Sequence, residues 1–319
     1  MRYRTLGSTG IKVSEIGFGA WGIGGSKNGD VAYGPADSSA SIKTLEKAYN
    51  SGVTFYDTSD LYGFGYSEKL LGKVFHNDRH NVIIATKGGF TSLSEKEKLS
   101  PEEISKSLHT SLKRLQTDYI DLYQLHSPSM DELSVTDGIF TTLDTLKKSG
   151  HIRSYGISVR SPDDGLIAVK EYSIQSIQVN FNMLDQRALN NGLFDLCSEY
   201  KIGIIARTPL CFGFLSGQYS EETQFHPLDH RNNWPKNQIK RWSDGNGIFT
   251  KDINYPKGQT QAQVALRFCL SYPNVSSTIP GMLKETHVIE NVAASHMGPL
   301  ESDILEAFNE IYHNNTFYK

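Results

Sequence analysis

The sequence predicts a (β/α)8 barrel of the TIM type, with a β-hairpin plugging its amino-terminal end and long loops at its carboxyl-terminal face. Three observations predict it. Short apolar, strand-like runs alternate with helix-like stretches at α/β spacing, and eight such strands are found. Asp57, Lys87 and His126 each follow one of those runs, with Tyr62 five residues past the first, where strand-end loops of a barrel build a site. The turn-forming Gly7-Ser8-Thr9-Gly10 separates two short strand-like stretches near the start.

In chain order, Arg2–Thr5 and Lys12–Ser14 form the hairpin. The barrel strands are expected at Ile16–Gly19, Thr54–Tyr56, Val82–Thr86, Ile120–Leu125, Ser154–Ile157, Ile177–Asn180, Gly203–Ala206 and Ser276–Ile279. Helices fall near 38–50, 67–75, 101–115, 137–148, 163–171, 191–200, 260–271 and 284–292. Ser100-Pro101-Glu102-Glu103 marks one start clearly: a cap, proline at the first position, then acids. The tail, 300–319, adds a last helix. A chain of 319 residues can bury a large core, and barrels of this size are usually one domain, here 1–319. Two connections are unusually long. Gly22 to Asp37 is glycine-rich, and Cys211 to Gly258 is polar with Trp234 and Trp242. Long connections in a compact domain are usually functional. The second follows strand seven, so it is expected to lie over the barrel mouth as a lid that is mobile until a ligand closes it.

Net charge is −3 with no basic stripe, which argues against nucleic acid as a partner. No apolar run reaches 18 residues, so no membrane helix is expected. Cys197, Cys211 and Cys269 are an odd number without CxxC, which suits a reducing compartment. Met1-Arg2-Tyr3-Arg4-Thr5 has no secretory core, so the expected location is cytoplasmic. His226 and His230 have metal-like spacing. Pro227 lies between them without the glutamate of HExxH, so a solvated loop and no metal are expected. Gly17-Phe18-Gly19-Ala20-Trp21-Gly22 spells GxGxxG, but that fingerprint needs a helix to start at its end. Gly24, Gly25, Gly29 and Pro35 oppose such a helix, and close backbone packing is the better account.

Asp57, Tyr62, Lys87 and His126 together make a proton donor. A free tyrosine titrates near ~10, too high for a good acid at neutral pH. An adjacent ammonium is expected to lower that value. Asp57 would hold Lys87 charged and aimed, while His126 orients a carbonyl oxygen or passes a proton. With no activated serine or cysteine motif, the electrons must come from outside, and a nicotinamide supplying hydride fits.

Gly17–Trp21, Asp57-Thr58-Ser59-Asp60-Leu61-Tyr62-Gly63, Thr86-Lys87, Asp118–His126, Gly156-Ile157-Ser158 and Gln178–Asn182 are family-like segments. Pro209-Leu210, Gly213–Gly217, Ile279-Pro280-Gly281 and Glu290-Asn291 continue the series. In this order they resemble the aldo-keto reductase family, from about Tyr3 to Asn291. The resemblance implies Asp57, Tyr62, Lys87 and His126 as catalytic residues and a bound NADP(H), with NADPH favoured over NADH. It implies Trp21 over the nicotinamide or substrate, and Ser158 and Gln178 on the carboxamide. Val159 replaces the family's usual asparagine, so one carboxamide bond is missing or moved to Arg160. Arg207 stands where many relatives stack an aromatic ring; it stacks its guanidinium or makes a salt bridge. Leu210, Gly213, Leu215 and Gly217 match the pyrophosphate loop, with Gln218 in place of a frequent lysine, and Arg231 resembles an arginine reaching over the cofactor. Gly281, Lys284, His287, Glu290 and Asn291 match the adenosine end, where Leu283 departs from the pattern and Lys284 keeps one cation.

The implied activity is reduction of an aldehyde or ketone, with Tyr62 as general acid and a small-molecule carbonyl as partner. A sugar or keto-sugar is among the candidates, because Arg160, Arg231 and the polar 229–247 stretch suit a polyhydroxylated substrate. The alternative is a cofactor-holding redox sensor, since potassium-channel β subunits resemble the same family.

Overall fold

A computed structural model describes residues 1–26, 32–90, 98–251 and 258–318. Gly29 and positions 252–257 of the second long connection lie outside these residues.

The chain opens with strands β1 (Tyr3–Thr5) and β2 (Lys12–Ser14), paired antiparallel with Arg4 opposite Val13. Leu6, Ile11 and Val13 pack against Phe55, Ala85, Leu122, Ile205 and Ile279. The hairpin therefore fills one end of the barrel interior with apolar side chains, as the sequence predicts.

Eight parallel strands follow in sequential order: β3 (Phe18–Gly19), β4 (Phe55–Asp57), β5 (Ile83–Gly88), β6 (Ile120–His126), β7 (Ile152–Ser158), β8 (Ser176–Asn180), β9 (Gly203–Arg207) and β10 (Val275–Thr278). The first and last meet through bridges Ile16 to Thr278 and Gly19 to Gly281. This closing seam explains the glycines of the GxGxxG string. A Cβ on Gly19 would stand 2.6 Å from the Ile279 carbonyl oxygen, and one on Gly17 would stand 2.7 Å from the Phe55 ring and 3.0 Å from the Ile279 side chain. Ile16 belongs to the seam rather than to regular pairing, so β3 is shorter than expected.

One helical turn, α1 (Trp21–Gly24), does form where none was expected, but it ends at once at Gly25, whose φ is +70°. Helices α2 (Ser38–Asn50), α3 (Tyr66–Phe75), α4 (Pro101–Leu115), α5 (Met130–Ser134), α6 (Ile139–Lys148), α7 (Pro162–Glu171), α8 (Arg187–Asn190) and α9 (Leu193–Glu199) come next. Ser100 and Glu103 cap α4 reciprocally, with Pro101 in the first turn, as read from the sequence.

The segment read as a long loop after strand seven contains a sixteen-residue helix, α10 (Lys236–Lys251). Gly245 and Gly247 weaken its helical signal. Packing overrides that weakness. Trp242 and Phe249 are buried, and a Cβ on Gly245 would stand 2.7 Å from Leu184. Helices α11 (Gln261–Leu270), α12 (Glu285–Met297) and α13 (Ser302–His313) complete the chain, the last as expected from the tail. No helix among the described residues is long and apolar enough to cross a membrane.

Candidate active site

Side chains alternate along a strand, so residues two apart share a face. Phe55 and Asp57 on β4, Ala85 and Lys87 on β5, and Leu122, Gln124 and His126 on β6 therefore form stacked layers: apolar against the hairpin, polar at the opposite end. Register completes the convergence, with Lys87 opposite Gln124 and His126 opposite Ser158, itself opposite Gln178.

The Lys87 ammonium is fully buried. It donates to Asp57 Oδ1 at 2.5 Å, to the Thr58 carbonyl at 2.8 Å and to the Tyr62 phenolic oxygen at 3.2 Å. An ammonium has three donors, and all have acceptors here. Asp57 Oδ2 accepts from Gln178 Nε2 at 2.7 Å and from Gln124 Nε2 at 3.2 Å. Gln124 belongs to this network although the sequence reading assigned it no role; its place two residues before His126 on the same strand face was the available signal.

Burial works against charge on Lys87, but Asp57 and Tyr62 outweigh it and raise its pKa above the ordinary lysine value. For Tyr62 the expected lowering is not found. Burial pushes the phenol up, Lys87 pulls it back less strongly, and Asp57 adds to the rise. His126 is driven well below the usual imidazole range, first by burial and then by Lys87 and Arg207.

Asp57, Tyr62 and His126 line a cavity of about 890 Å3. Its wall also includes Trp21, Gln178 and Arg207, Leu210, Gly213 and Arg231, and Gly281, His287, Glu290 and Asn291. Lys87, Ser158, Leu215, Gly217 and Lys284 are not on its wall. Ser158 is buried behind Gln178 and donates to its Oε1 at 3.4 Å. Lys284 is exposed just before α12. Arg160 is also off the wall, and its Nε donates to the Ser127 carbonyl at 2.7 Å.

Arg207 has no carboxylate partner among the described residues. One terminal nitrogen donates to the Val159 carbonyl at 2.8 Å, and its buried Nε has no partner. Arg231 is braced instead. It forks onto Asp229 at 3.0 and 2.7 Å, donates to the Phe212 carbonyl at 3.0 Å, and lies 4.1 Å from the Phe225 ring centre. His230 is not in a solvated loop: it is buried, with its ring 4.7 Å from Trp21 and 4.9 Å from Trp234, and burial drives its pKa down to about 4. No cluster of metal-ligand side chains occurs among the described residues.

Aromatic wall residues were not identified from the sequence: Tyr33, Phe64, Phe90, Phe212 and Tyr219. Phe64 and Phe90 sit in loops just past strand ends, a positional signal; Tyr219 carried none.

Two residues of the wall, Arg207 and Asn291, carry buried donors without protein partners, Nε of the first and Nδ2 of the second. Buried donors are ordinarily paired, so each points to a ligand acceptor. Gly213, with φ +97°, also belongs to the wall. A nicotinamide dinucleotide, with acceptors along its whole length, matches that donor set.

Residues 15–313 match the family model described as the aldo/keto reductase family. The chain is 33% identical over 296 residues to the aldo-keto reductase YhdN of Bacillus subtilis, covering 89% of this chain and 86% of that one. It is 32% identical over 292 residues to the aldo-keto reductase yakc [NADP(+)] of Schizosaccharomyces pombe, covering 88% and 84%. Among solved structures, the holo form of the aldo-keto reductase AKR11C1 from Bacillus halodurans superposes with a TM-score of 0.80 at 28% identity, covering 98% of this chain and 96% of that one.

Proposed function

The chain belongs to the aldo/keto reductase family of oxidoreductases, and on that premise we propose that it reduces an aldehyde or ketone to the alcohol with NADP(H). The observation that carries the reading is the buried Asp57–Lys87–Tyr62 chain beside a cavity of about 890 Å3. When bound, the nicotinamide supplies a hydride to the carbonyl carbon. Tyr62 donates the proton to the oxygen. Lys87 donates into the phenolic oxygen and leaves the phenol's own proton for the cavity. Asp57 keeps Lys87 charged, and Gln124 and Gln178 donate to the other Asp57 oxygen and hold the carboxylate in place. His126 orients the substrate oxygen.

Trp21, Gln178 and Arg207 would hold the nicotinamide end, with Ser158 bracing Gln178 from behind. Gln178 directs its amide nitrogen to Asp57, so its Oε1, which also accepts from Ser158, is the atom that would accept a carboxamide N–H. Leu210, Gly213 and Arg231 would line the pyrophosphate, with Leu215 and Gly217 shaping the loop behind them, and Gly281, His287, Glu290 and Asn291 would line the adenosine, with Lys284 beside them. NADPH is the favoured form, because Lys284 offers a cation near that end and a relative bears NADP(+) in its name. The substrate end is walled by Trp21, Tyr33, Leu61, Phe64 and Phe90. With Arg160 off the wall and Arg231 held by Asp229, flat or apolar carbonyls fit better than sugars. Three buried free cysteines suit a cytoplasmic setting.

The test is NADPH oxidation over a panel of aldehydes, ketones and keto-sugars, with NADH in parallel. Repeated turnover that Tyr62→Phe abolishes supports the reductase. Oxidation of one bound equivalent without cycling would replace it with the redox sensor.

A further inference from the structure

His126 has a hydrogen-bond chain behind it that the proposed chemistry does not use. Its Nδ1 stands 3.0 Å from Ser59 Oγ. Ser59 Oγ also stands 3.1 Å from Asp60 Oδ1 and accepts from the Leu61 amide at 3.1 Å. Asp60 Oδ2 accepts from the Ser107 hydroxyl at 2.8 Å, and Ser107 accepts from Tyr123 at 3.3 Å. The other imidazole nitrogen, Nε2, has no protein partner among the described residues, and His126 lines the cavity. Nε2 is therefore the atom left to meet a ligand.

A neutral imidazole carries one proton, and a hydroxyl has one to give. Ser59 has two acceptors in reach, Asp60 Oδ1 and His126 Nδ1, at nearly equal distances. Distance does not choose between them; charge does, because bonds to ionised acceptors are the stronger ones. While Asp60 is ionised it takes the Ser59 proton. Ser59 then accepts from Nδ1–H, and Nε2 is bare. When Asp60 is protonated its own proton turns to Ser59 Oγ, the Ser59 hydroxyl turns to Nδ1, and Nε2 carries the proton.

We propose that Asp60, acting through Ser59 as a positioning pair, sets which nitrogen of His126 is protonated, so that the ring accepts a hydrogen bond in the cavity in one state and donates one in the other. The proton balance closes. One proton enters at Nε2 as the Nδ1 proton passes to Ser59 and the Ser59 proton passes to Asp60; one is taken up and the ring stays neutral.

The surroundings put the change in a useful range. Burial pushes the Asp60 carboxyl up to about 6, against bonds from Ser107 and Ser59, with Glu68 on α3 raising it and Arg114 on α4 lowering it. Glu68 is itself tied to Thr86 and Arg114. Burial, and then Lys87 and Arg207, keep the ring from gaining a second proton. Resting on the carbonyl-reductase reading, the consequence is directional. A carbonyl oxygen only accepts and prefers Nε2–H, whereas an alcohol hydroxyl donates and prefers bare Nε2.

The test is NMR of the full chain with ring-15N histidine, the His126 signals assigned from the spectrum of His126→Gln. Two-bond nitrogen–proton couplings report the tautomer without any turnover, so this result stands apart from the reductase assay. The expected result is a neutral ring that is mainly Nδ1–H near pH ~8 and mainly Nε2–H near pH ~5, changing over around the pKa of Asp60. That change should vanish in Asp60→Asn and in Ser59→Ala. One tautomer at both pH values in the unaltered protein, or the same changeover in either variant, overturns the proposal.

Discussion

Lys87 donates to the phenolic oxygen of Tyr62 across 3.2 Å, so the Tyr62 oxygen is the acceptor and its proton is directed elsewhere. The same ammonium is anchored to Asp57 at 2.5 Å. Tyr62→Phe keeps the ring and removes the proton. Reductase turnover is expected to fall by on the order of 10²-fold or more, the scale of general acid catalysis. Cofactor affinity, read by fluorescence titration, is expected to stay within error. Turnover near that of the unaltered protein would remove Tyr62 from its role.

Lys87 is the strongest influence pulling the Tyr62 phenol down against burial. Reduction needs the protonated phenol, so activity is lost as pH rises through the phenol's pKa, which lies above the ordinary ~10. Lys87→Met is expected to move that alkaline limb of kcat/KM higher still and to lower the plateau. It also strands the Asp57 charge, a loss on the order of 3–5 kcal/mol in stability. An unmoved limb would show that Lys87 does not act on Tyr62.

Asp60 has a folded-state pKa of about 6, above its ordinary value of 3.8. A carboxyl shifted upward stabilises the fold fully below its unfolded pKa and loses that contribution as pH rises through the folded one. Asp60→Asn is therefore expected to be neutral near pH ~4 and stabilising near pH ~8, by at most roughly 3 kcal/mol. Thermal unfolding of both proteins across this range checks the sign. A variant less stable at pH ~8 would mean that Asp60's hydrogen bonds outweigh its burial.

Lys284 is exposed, with no side-chain cap bond to α12. If it meets the ribose 2′-phosphate, Lys284→Ala weakens NADPH by about 10- to 100-fold and leaves NADH nearly unchanged, the worth of one charged hydrogen bond. Equal loss for both in parallel titrations would place the phosphate elsewhere.

The stretch from Cys211 to α10 contributes Phe212, Gly213, Tyr219 and Arg231 to the cavity wall, and its His230 amide donates to the Ala32 carbonyl at 3.0 Å. Hydrogen exchange across about 211–247 is expected to slow strongly when NADPH saturates the site, as for a closing lid. Identical exchange with and without the cofactor would make this a permanently ordered wall.

Asp57, Lys87 and His126 were legible because local rules place them. Strand alternation and strand ends are written within a few residues, and sequential parallel pairing then brings such ends together whatever the intervening helices contain. The hairpin plug and the Ser100 cap were legible for the same local reason. Arg231 is different: its sequence neighbour Asp229 holds it and Phe225 of the same connection packs on it, but Tyr33 reaches it only because a loop distant in the chain folds against this one. The burial of His230, the glycine-bearing α10 and the sign of the Tyr62 shift depend likewise on what surrounds each group. Desolvation and packing are set by residues distant in the chain, so the sequence determined which groups meet at the barrel mouth, and only the tertiary structure decided how dry they are and which proton each one holds.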